Sequence, residues 1–186
     1  MREFMVELSF TRKYIERDIS EYLSNFKEFS SSVSYQLTLE GKKGQRTIGD
    51  DVLYQDGKYG IALRSLDAQN GFEGTKVVGG RIALISFDKI KRKGILCLQI
   101  QSSHHLAEFL PKQWERSLLR STCKWASDEG YKRVVVQSAE NNDRFTYPPG
   151  IQDLDAWQSR LKIRYNITPM RLGFERNSDS NFELLI

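Results

Sequence analysis

Alternation of apolar and polar residues predicts the strands in the first half of the chain. Asp56-Gly57 is a two-residue hairpin signal between two of them. Residues 65–78 are mostly polar and contain two glycines, so they predict a loop. The strands predicted from this pattern lie at 4–10, 33–39, 52–55 and 59–64.

The most apolar segments predict the centre of a sheet. Runs at 81–87 and 94–100, joined by a short basic connection, predict an antiparallel hairpin. An apolar stripe at helical spacing then predicts a helix over 111–129, and it leads into a short buried strand at 134–136. A strand, a helix and a buried strand in this order predict a crossover with parallel pairing of the two strands.

Two further helices and a final strand complete the pattern. Apolar residues at helical spacing predict a helix over 15–26 after Thr11 and another over 154–165. The prolines and glycine at 147–150 predict a loop, and 182–186 predicts a closing strand. The order of elements indicates an α+β fold with a mixed central sheet.

Length and charge limit the class of protein. The chain has 186 residues, which predicts a single domain over 1–186. Lys and Arg number 28 against 24 Asp and Glu, a net charge of +4. The surplus is concentrated at 89–93, and so local a cluster argues against a nucleic-acid binder. We interpret it as a solvated hairpin tip that deters edge-to-edge association of sheets.

The sequence has two cysteines, no signal peptide and no apolar run long enough to span a membrane. These features predict a cytoplasmic protein without a membrane partner. Cys123 lies within an apolar helical pattern and is interpreted as a packed thiol. No nearby Cys or His completes a metal set with His104-His105, so no metal is predicted. Whether the chain forms a homodimer stays open.

Four segments of the second half share the order and spacing of a known family. The strand pair at 81–87 and 94–100 is followed by KQWERSLL at 112–119, the start of a helix. WASDEGYKRVVVQSAENN at 125–142 contains a helix end, a glycine, a strand and an asparagine. MRLGFERNSDSNFELLI at 170–186 contains a Gly-Phe turn before the last strand. Together these segments resemble the GNAT superfamily of acyl-CoA-dependent N-acyltransferases.

The resemblance implies a GNAT-like fold, with a mostly antiparallel sheet flanked by helices and a splayed parallel strand pair. It also implies acyl transfer, acetyl in the first instance, from acetyl-CoA to an amine that the sequence does not name. Tyr165 is the implied acid, and His105 is a further acid–base candidate because imidazole titrates near neutral pH. The implied cofactor-binding residues are Leu98, Ile100, Gln101, Lys112, Gln113, Arg116, Ser117 and Asn142.

The chain also departs from the family pattern. Gln113 and Glu115 occupy positions where the family has small residues, and the Glu115 carboxylate would repel a diphosphate. Pro169 occupies the position of the family's tyrosine, so Tyr165 is the nearest alternative. Residues 143–158 form an apparent insertion. A catalytically inactive GNAT-like binding or assembly module therefore stays open as the alternative function.

A polar segment follows the predicted buried strand. Open α/β sheets bind ligands beyond the carboxyl ends of their strands, which is where Glu140, Asn141 and Asn142 lie. The same three residues are equally compatible with an ordinary polar turn. Both interpretations are left open by the sequence.

Overall fold

One mixed sheet organises the protein. The computed structural model describes residues 16–23, 35–41, 57–70, 77–102, 107–146 and 152–186. Within them the strand order is β1-β2-β3-β4-β5-β6-β8-β7, and every neighbouring pair is antiparallel except β5 and β6. The predicted fold class is therefore confirmed. The strands are β1 (Glu16–Asp18), β2 (Tyr35–Gly41), β3 (Tyr59–Asn70), β4 (Val77–Ile90), β5 (Gly94–Ser102), β6 (Arg133–Val136), β7 (Glu175–Arg176) and β8 (Phe182–Leu185).

The helices lie mainly in the second half of the chain. The longest follows Pro111 and ends before Gly130, whose φ of +82° is the left-handed geometry common after a helix C-terminus. The helical segments of the described ranges are two 3₁₀ turns (Ser20–Tyr22 and Ala107–Phe109), α1 (Trp114–Asp128), α2 (Asp143–Thr146), α3 (Leu154–Lys162), a π-helical turn (Ile163–Ile167) and α4 (Thr168–Arg171).

The core lies between the sheet and α1. Leu118 and Leu119 have no exposed surface, and Trp125 packs its ring 5.4 Å from that of Phe87 on β4. Burying large apolar side chains of this kind supplies most of the stabilisation of a fold. The apolar stripe predicted on this helix is thus the face that holds it to the sheet.

The hairpin of β4 and β5 contains a bulge. Consecutive β4 residues Ser86 and Phe87 pair with Gln99 and Cys97, which leaves Leu98 without a partner on β4. An extra residue changes the side to which later backbone groups point. Cys97 accepts a hydrogen bond from Gln137 on the β6 side, and the backbone of Ile100, three residues on, is also bonded on that side.

The parallel pair predicted from the sequence is confirmed, and it ends early. The β5–β6 register runs from Gly94 opposite Arg133 to Cys97 opposite Val136, and α1 forms the crossover. The last ladder bond joins the Gln137 N–H to the Cys97 carbonyl at 3.0 Å. β5 continues to Ser102, and among the described residues no strand pairs with its later part on that side, as the predicted splay requires.

Two predictions of secondary structure were wrong in the described residues, and a third was right over only part of its length. Where a helix over 15–26 was predicted, the described residues 16–23 form β1 and a 3₁₀ turn, because the Asp18 carboxylate accepts hydrogen bonds from the N–H and hydroxyl of Ser20. Both ends of the loop predicted over 65–78 are strand, because β3 runs to Asn70 and β4 starts at Val77. The helix over 154–165 changes to a π turn at Ile163. The predicted elements at 4–10, 52–55 and 147–150 lie outside the described residues.

A buried ion cluster joins β2, β3 and β4. The Glu40 carboxylate lies 2.7 Å from the Arg64 guanidinium and 3.2 Å from that of Arg81. Glu40 is 2% exposed, and its Oε1 also accepts a hydrogen bond from the Thr38 hydroxyl at 3.2 Å.

In the described part of the chain, no helix is long and apolar enough to cross a membrane.

Glu40→Ala should lower the free energy of unfolding by about 3–5 kcal/mol, because it leaves two largely buried guanidinium groups without their shared carboxylate. Chemical denaturation measures the change. Glu129→Ala is the control, because it breaks the exposed pair with Arg17 and should cost about 1 kcal/mol or less. Equal midpoints for the two variants would show that the buried cluster does not stabilise the fold.

Candidate functional site at the end of the parallel strand pair

Beyond the last ladder bond, side chains take the place of a neighbouring strand along β5. We call this region the splay site and define it by residues 98–101 of β5, the loop 137–142 after β6 and the π-helical turn. Asn142 donates a hydrogen bond to the Leu98 carbonyl at 3.4 Å. The edge of β5 therefore has its polar groups bonded by side chains rather than by backbone.

The Tyr165 hydroxyl is bonded to the backbone of Ile100. It accepts a hydrogen bond from the Ile100 N–H at 2.8 Å and donates one to the Ile100 carbonyl at 3.1 Å. Tyr165 is 3% exposed and Ile100 has no exposed surface. A hydroxyl can act as donor and acceptor at once, so one side chain satisfies both backbone groups.

The π-helical turn presents three consecutive side chains to the splay site. A π turn contains more residues per turn than an α-helix, so successive side chains diverge by less than the roughly 100° of an α-helix. Arg164 donates to the Ile100 carbonyl at 3.1 Å. Asn166 accepts from the Ala139 N–H at 2.9 Å. The turn is thus bonded to β5 on one side and to the loop after β6 on the other.

The Glu140 carboxylate is held by this turn. Burial alone would raise the pKa of Glu140, but a hydrogen bond from its own N–H, the Asn166 amide and the charges of Arg176 and Lys162 together lower that pKa below its usual range. Asn166 donates to both carboxylate oxygens, at 2.9 and 3.0 Å. Glu140 is therefore a carboxylate held ionised, and the polar turn left open by the sequence is an ordered hydrogen-bonded one.

Arg164 also connects the splay site to the start of α1. Its guanidinium lies 3.6 Å from the Glu115 carboxylate and 5.1 Å from the centre of the Trp114 ring. Such a cation–π contact favours the guanidinium in this position. The Glu115 charge, which the sequence placed against a diphosphate, is partly neutralised by this pair.

The residue just before α1 has a backbone conformation that favours glycine. Gln113, the N-cap, has a φ of +57° and no side-chain hydrogen bond that caps the helix. Its side-chain oxygen accepts from Arg116 at 3.3 Å, and its carbonyl accepts from the Ser117 N–H at 3.1 Å. A left-handed backbone is where glycine avoids a steric cost, and Gln113 adopts it although it carries a side chain.

The structure groups most of the residues that the sequence singled out. Tyr165, Ile100, Leu98 and Asn142 meet in the splay site, whereas the Gln101 side chain accepts from Gln99 beside β4 at 3.0 Å. Another group lies at the start of α1 and comprises Lys112, Gln113, Arg116 and Ser117. His105 lies outside the described residues.

Sequence reasoning missed Arg164 and Asn166. Both residues are polar and lie next to Tyr165 in the sequence. In the α-helix predicted for this segment, the residues next to buried Tyr165 would point away from the site. The available signal was that a polar residue lies directly on each side of the candidate acid, Tyr165, in the sequence. Burial also raises the pKa of both cysteine thiols, to about 12 for Cys123, which fits its interpretation as a packed thiol.

Neither a family model, nor a curated protein, nor a solved structure matches this chain. Interpretation of the splay site therefore rests on its own geometry and on the chemistry of its residues.

Asn166→Ala should raise the pKa of Glu140, because it removes two hydrogen bonds to the carboxylate. Since the native pKa is lowered, the stabilisation that Glu140 provides is complete above its unfolded pKa and is lost as pH falls through the native value. Carboxyl-carbon NMR titration measures the change.

Arg176→Gln is the matched control for this titration. It should also raise the pKa of Glu140, because it removes a neighbouring positive charge, 3.5 Å away. Only Asn166→Ala should speed hydrogen exchange at the Ala139 amide, which loses its acceptor. An unchanged Glu140 pKa in the Asn166 variant would contradict the described contact.

Proposed function

We propose that the protein is an acyl-CoA-dependent N-acyltransferase that transfers an acyl group, acetyl in the first instance, from a CoA thioester to an amine. One observation carries this proposal. The β5–β6 ladder stops at Cys97 and Val136, and beyond its end the hydroxyl of Tyr165 is hydrogen-bonded to the backbone N–H and carbonyl of Ile100. A proton donor and a backbone N–H thus lie together beside a part of β5 that no described strand pairs with on that side.

The strand edge offers a way to hold the donor. The pantetheine arm of CoA is extended and carries amide groups, so it can pair with a strand edge as an added strand does. Three backbone groups would be used: the Leu98 and Ile100 carbonyls by the amides of the arm, and the Ile100 N–H by the thioester carbonyl. They are now bonded by the Asn142, Tyr165 and Arg164 side chains, and donor binding would exchange those hydrogen bonds for its own.

The start of α1 offers a site for the diphosphate. The first backbone N–H groups of a helix lack partners within the helix and favour an anion. Gln113 provides no side-chain cap there, and Lys112 and Arg116 add positive charge. Glu115 opposes the anion, but its ion pair with Arg164 reduces that opposition.

The residues of the splay site have separate roles in the proposed reaction. A deprotonated amine attacks the thioester carbon and forms the new C–N bond. The Ile100 N–H then donates to the oxyanion of the tetrahedral intermediate. The C–S bond breaks, the Tyr165 hydroxyl gives its proton to the departing thiolate, and the proton released by the amine restores the hydroxyl.

Tyr165→Phe should lower kcat by about 10²- to 10⁴-fold without weakening acetyl-CoA binding, because it removes the proton donor and leaves the Ile100 backbone groups open to the donor. Thiol release from acetyl-CoA with a panel of small amines and peptide amino termini measures the rate. Tyr35→Phe is the control, because it also removes a hydroxyl hydrogen bond, 2.9 Å from the Phe109 carbonyl, at a different place.

A Tyr165→Phe enzyme that turns over at the wild-type rate would remove Tyr165 from the mechanism. Water or His105 would then be left as the acid.

Lys112→Ala combined with Arg116→Ala should weaken CoA binding and make the remaining affinity less sensitive to salt, because charge–charge attraction to the diphosphate is lost. Isothermal titration calorimetry at two salt concentrations measures both effects. An unchanged affinity would place the diphosphate elsewhere.

A second candidate function is a GNAT-like binding or assembly module without catalysis. Two observations favour it: Gln113 and Glu115 replace small residues, and side chains already satisfy the β5 edge. Thermal unfolding distinguishes the candidates, because a ligand at 100 times its Kd stabilises the folded state by about 2.7 kcal/mol. Wild-type protein without any acetyl-CoA stabilisation would favour the module.

A further inference from the structure

One guanidinium contacts both halves of the proposed donor site. Arg164 donates from one terminal nitrogen to the Ile100 carbonyl at 3.1 Å, and its other terminal nitrogen lies 3.6 Å from the Glu115 carboxylate. Ile100 belongs to β5, whereas Glu115 lies in the first turn of α1. The guanidinium also lies 5.1 Å from the centre of the Trp114 ring, at the first residue of that helix. Arg164 therefore joins the place proposed for the thioester arm to the place proposed for the diphosphate.

The contacts of this guanidinium leave part of its hydrogen-bonding capacity unused. An arginine side chain has five N–H donors. The Arg164 Nε is buried and has no hydrogen-bond partner among the described residues. The distance of 3.6 Å to Glu115 exceeds the roughly 2.7–2.9 Å of a charge-assisted hydrogen bond. Because a buried donor without an acceptor is costly, Arg164 would gain from an anion that accepts more of its N–H groups.

A diphosphate suits this guanidinium better than the Glu115 carboxylate does. Its oxygens match the planar fork of an arginine, which binds phosphate through two N–H groups at once. The Arg164 and Glu115 side chains are 22% and 25% exposed, so a bound anion would meet both at the protein surface. Glu115 would be hydrated after the exchange, and the cation–π contact with Trp114 favours the guanidinium in the same region.

The same guanidinium occupies a backbone group that the pantetheine arm is proposed to use. The Ile100 carbonyl accepts hydrogen bonds from Arg164 and from the Tyr165 hydroxyl. A carbonyl oxygen has two lone pairs, so these two donors fill it. Movement of Arg164 to a phosphate would leave one lone pair for an amide N–H of the arm. Binding of the diphosphate would thus open the strand edge to the rest of the donor.

We propose that Arg164 makes the site specific for thioester donors that carry the CoA diphosphate. In the free protein Arg164 bonds the Ile100 carbonyl and pairs with Glu115, and in the complex it exchanges both for the diphosphate. A donor without phosphates displaces the guanidinium from Ile100 but provides no anion in its place. This inference rests on the proposed function, because it concerns the donor of that reaction. It gives Arg164 a role in donor selection and none in proton transfer.

Arg164→Met tests the proposal, because it keeps much of the aliphatic stem and removes every N–H donor of the side chain. Two probes are compared on the same full-length protein: acetyl-CoA, and S-acetylpantetheine, which has the same arm without phosphates. Titration of the Ile100 amide resonance measures both Kd values.

The two donors should respond differently to this substitution. Acetyl-CoA should bind about 10-fold more weakly or worse, because a charge-assisted contact is lost and the Glu115 charge is left unpaired. S-acetylpantetheine should bind at least as tightly as it does to the wild type, because Arg164 no longer occupies the Ile100 carbonyl. A merely structural role would weaken both donors alike.

Arg160→Met is the matched control. Arg160 lies one helical turn earlier, and its guanidinium lies 6.0 Å from the centre of the Trp157 ring. The variant therefore removes an arginine charge and its indole contact at a different place. Both donors should bind within about twofold of their wild-type affinity, because exposed charges contribute little.

Arg164→Lys provides the same comparison if Arg164→Met does not fold. Lysine keeps the positive charge but lacks the planar fork. It should weaken acetyl-CoA binding by less than methionine does, and the affinity for S-acetylpantetheine should again not fall.

The outcomes separate this inference from the proposed function. Equal weakening of both donors, or no effect of S-acetylpantetheine on the Ile100 amide of the Arg164 variants, would overturn the inference while acyl transfer from acetyl-CoA stands. Wild-type protein that binds neither donor would overturn both. The expected contrast between the donors without acetylation of any amine would support the inference and contradict the proposed catalysis alone.

Discussion

The arrangement of the candidate site depends on the early end of one strand pairing. The bulge at Leu98 turns the backbone of Ile100 toward a side that β6 no longer covers. A buried N–H and carbonyl without partners would be costly, so this edge requires other hydrogen-bonding groups. The Tyr165 hydroxyl provides them within the protein. A bound thioester would use the same two groups. The contact of Tyr165 with Ile100 therefore satisfies the buried backbone of the free protein and also lies at the centre of the proposed catalysis.

The sequence predicted the parts of the fold with strong apolar periodicity. The β4–β5 hairpin, the stripe of α1 and the buried strand β6 follow from local pattern, and their order implies the parallel pairing. The segment at Glu16–Tyr22 was predicted as a helix because its apolar spacing fits one. A side-chain hydrogen bond from Ser20 to Asp18 decided otherwise, and spacing alone does not report such bonds.

The candidate site was only partly predictable for a similar reason. Tyr165 and Asn142 were found through a resemblance of segments, whereas Arg164 and Asn166 act only because a π turn directs them inward. A π turn has no clear signal in residue spacing. Lys132 and the basic cluster at 89–93 are likewise separated along the chain, and pairing of β5 with β6 brings Lys132 beside Lys93.

An amide NMR titration with acetyl-CoA tests most directly whether the β5 edge is the donor site. We expect a saturable shift of the Ile100 amide resonance, larger than that of Cys97, because the bound donor would replace the Tyr165 hydroxyl on the Ile100 N–H alone. Saturable acetyl-CoA binding that leaves the Ile100 amide unchanged, or no binding at all, would contradict the role assigned to this strand edge.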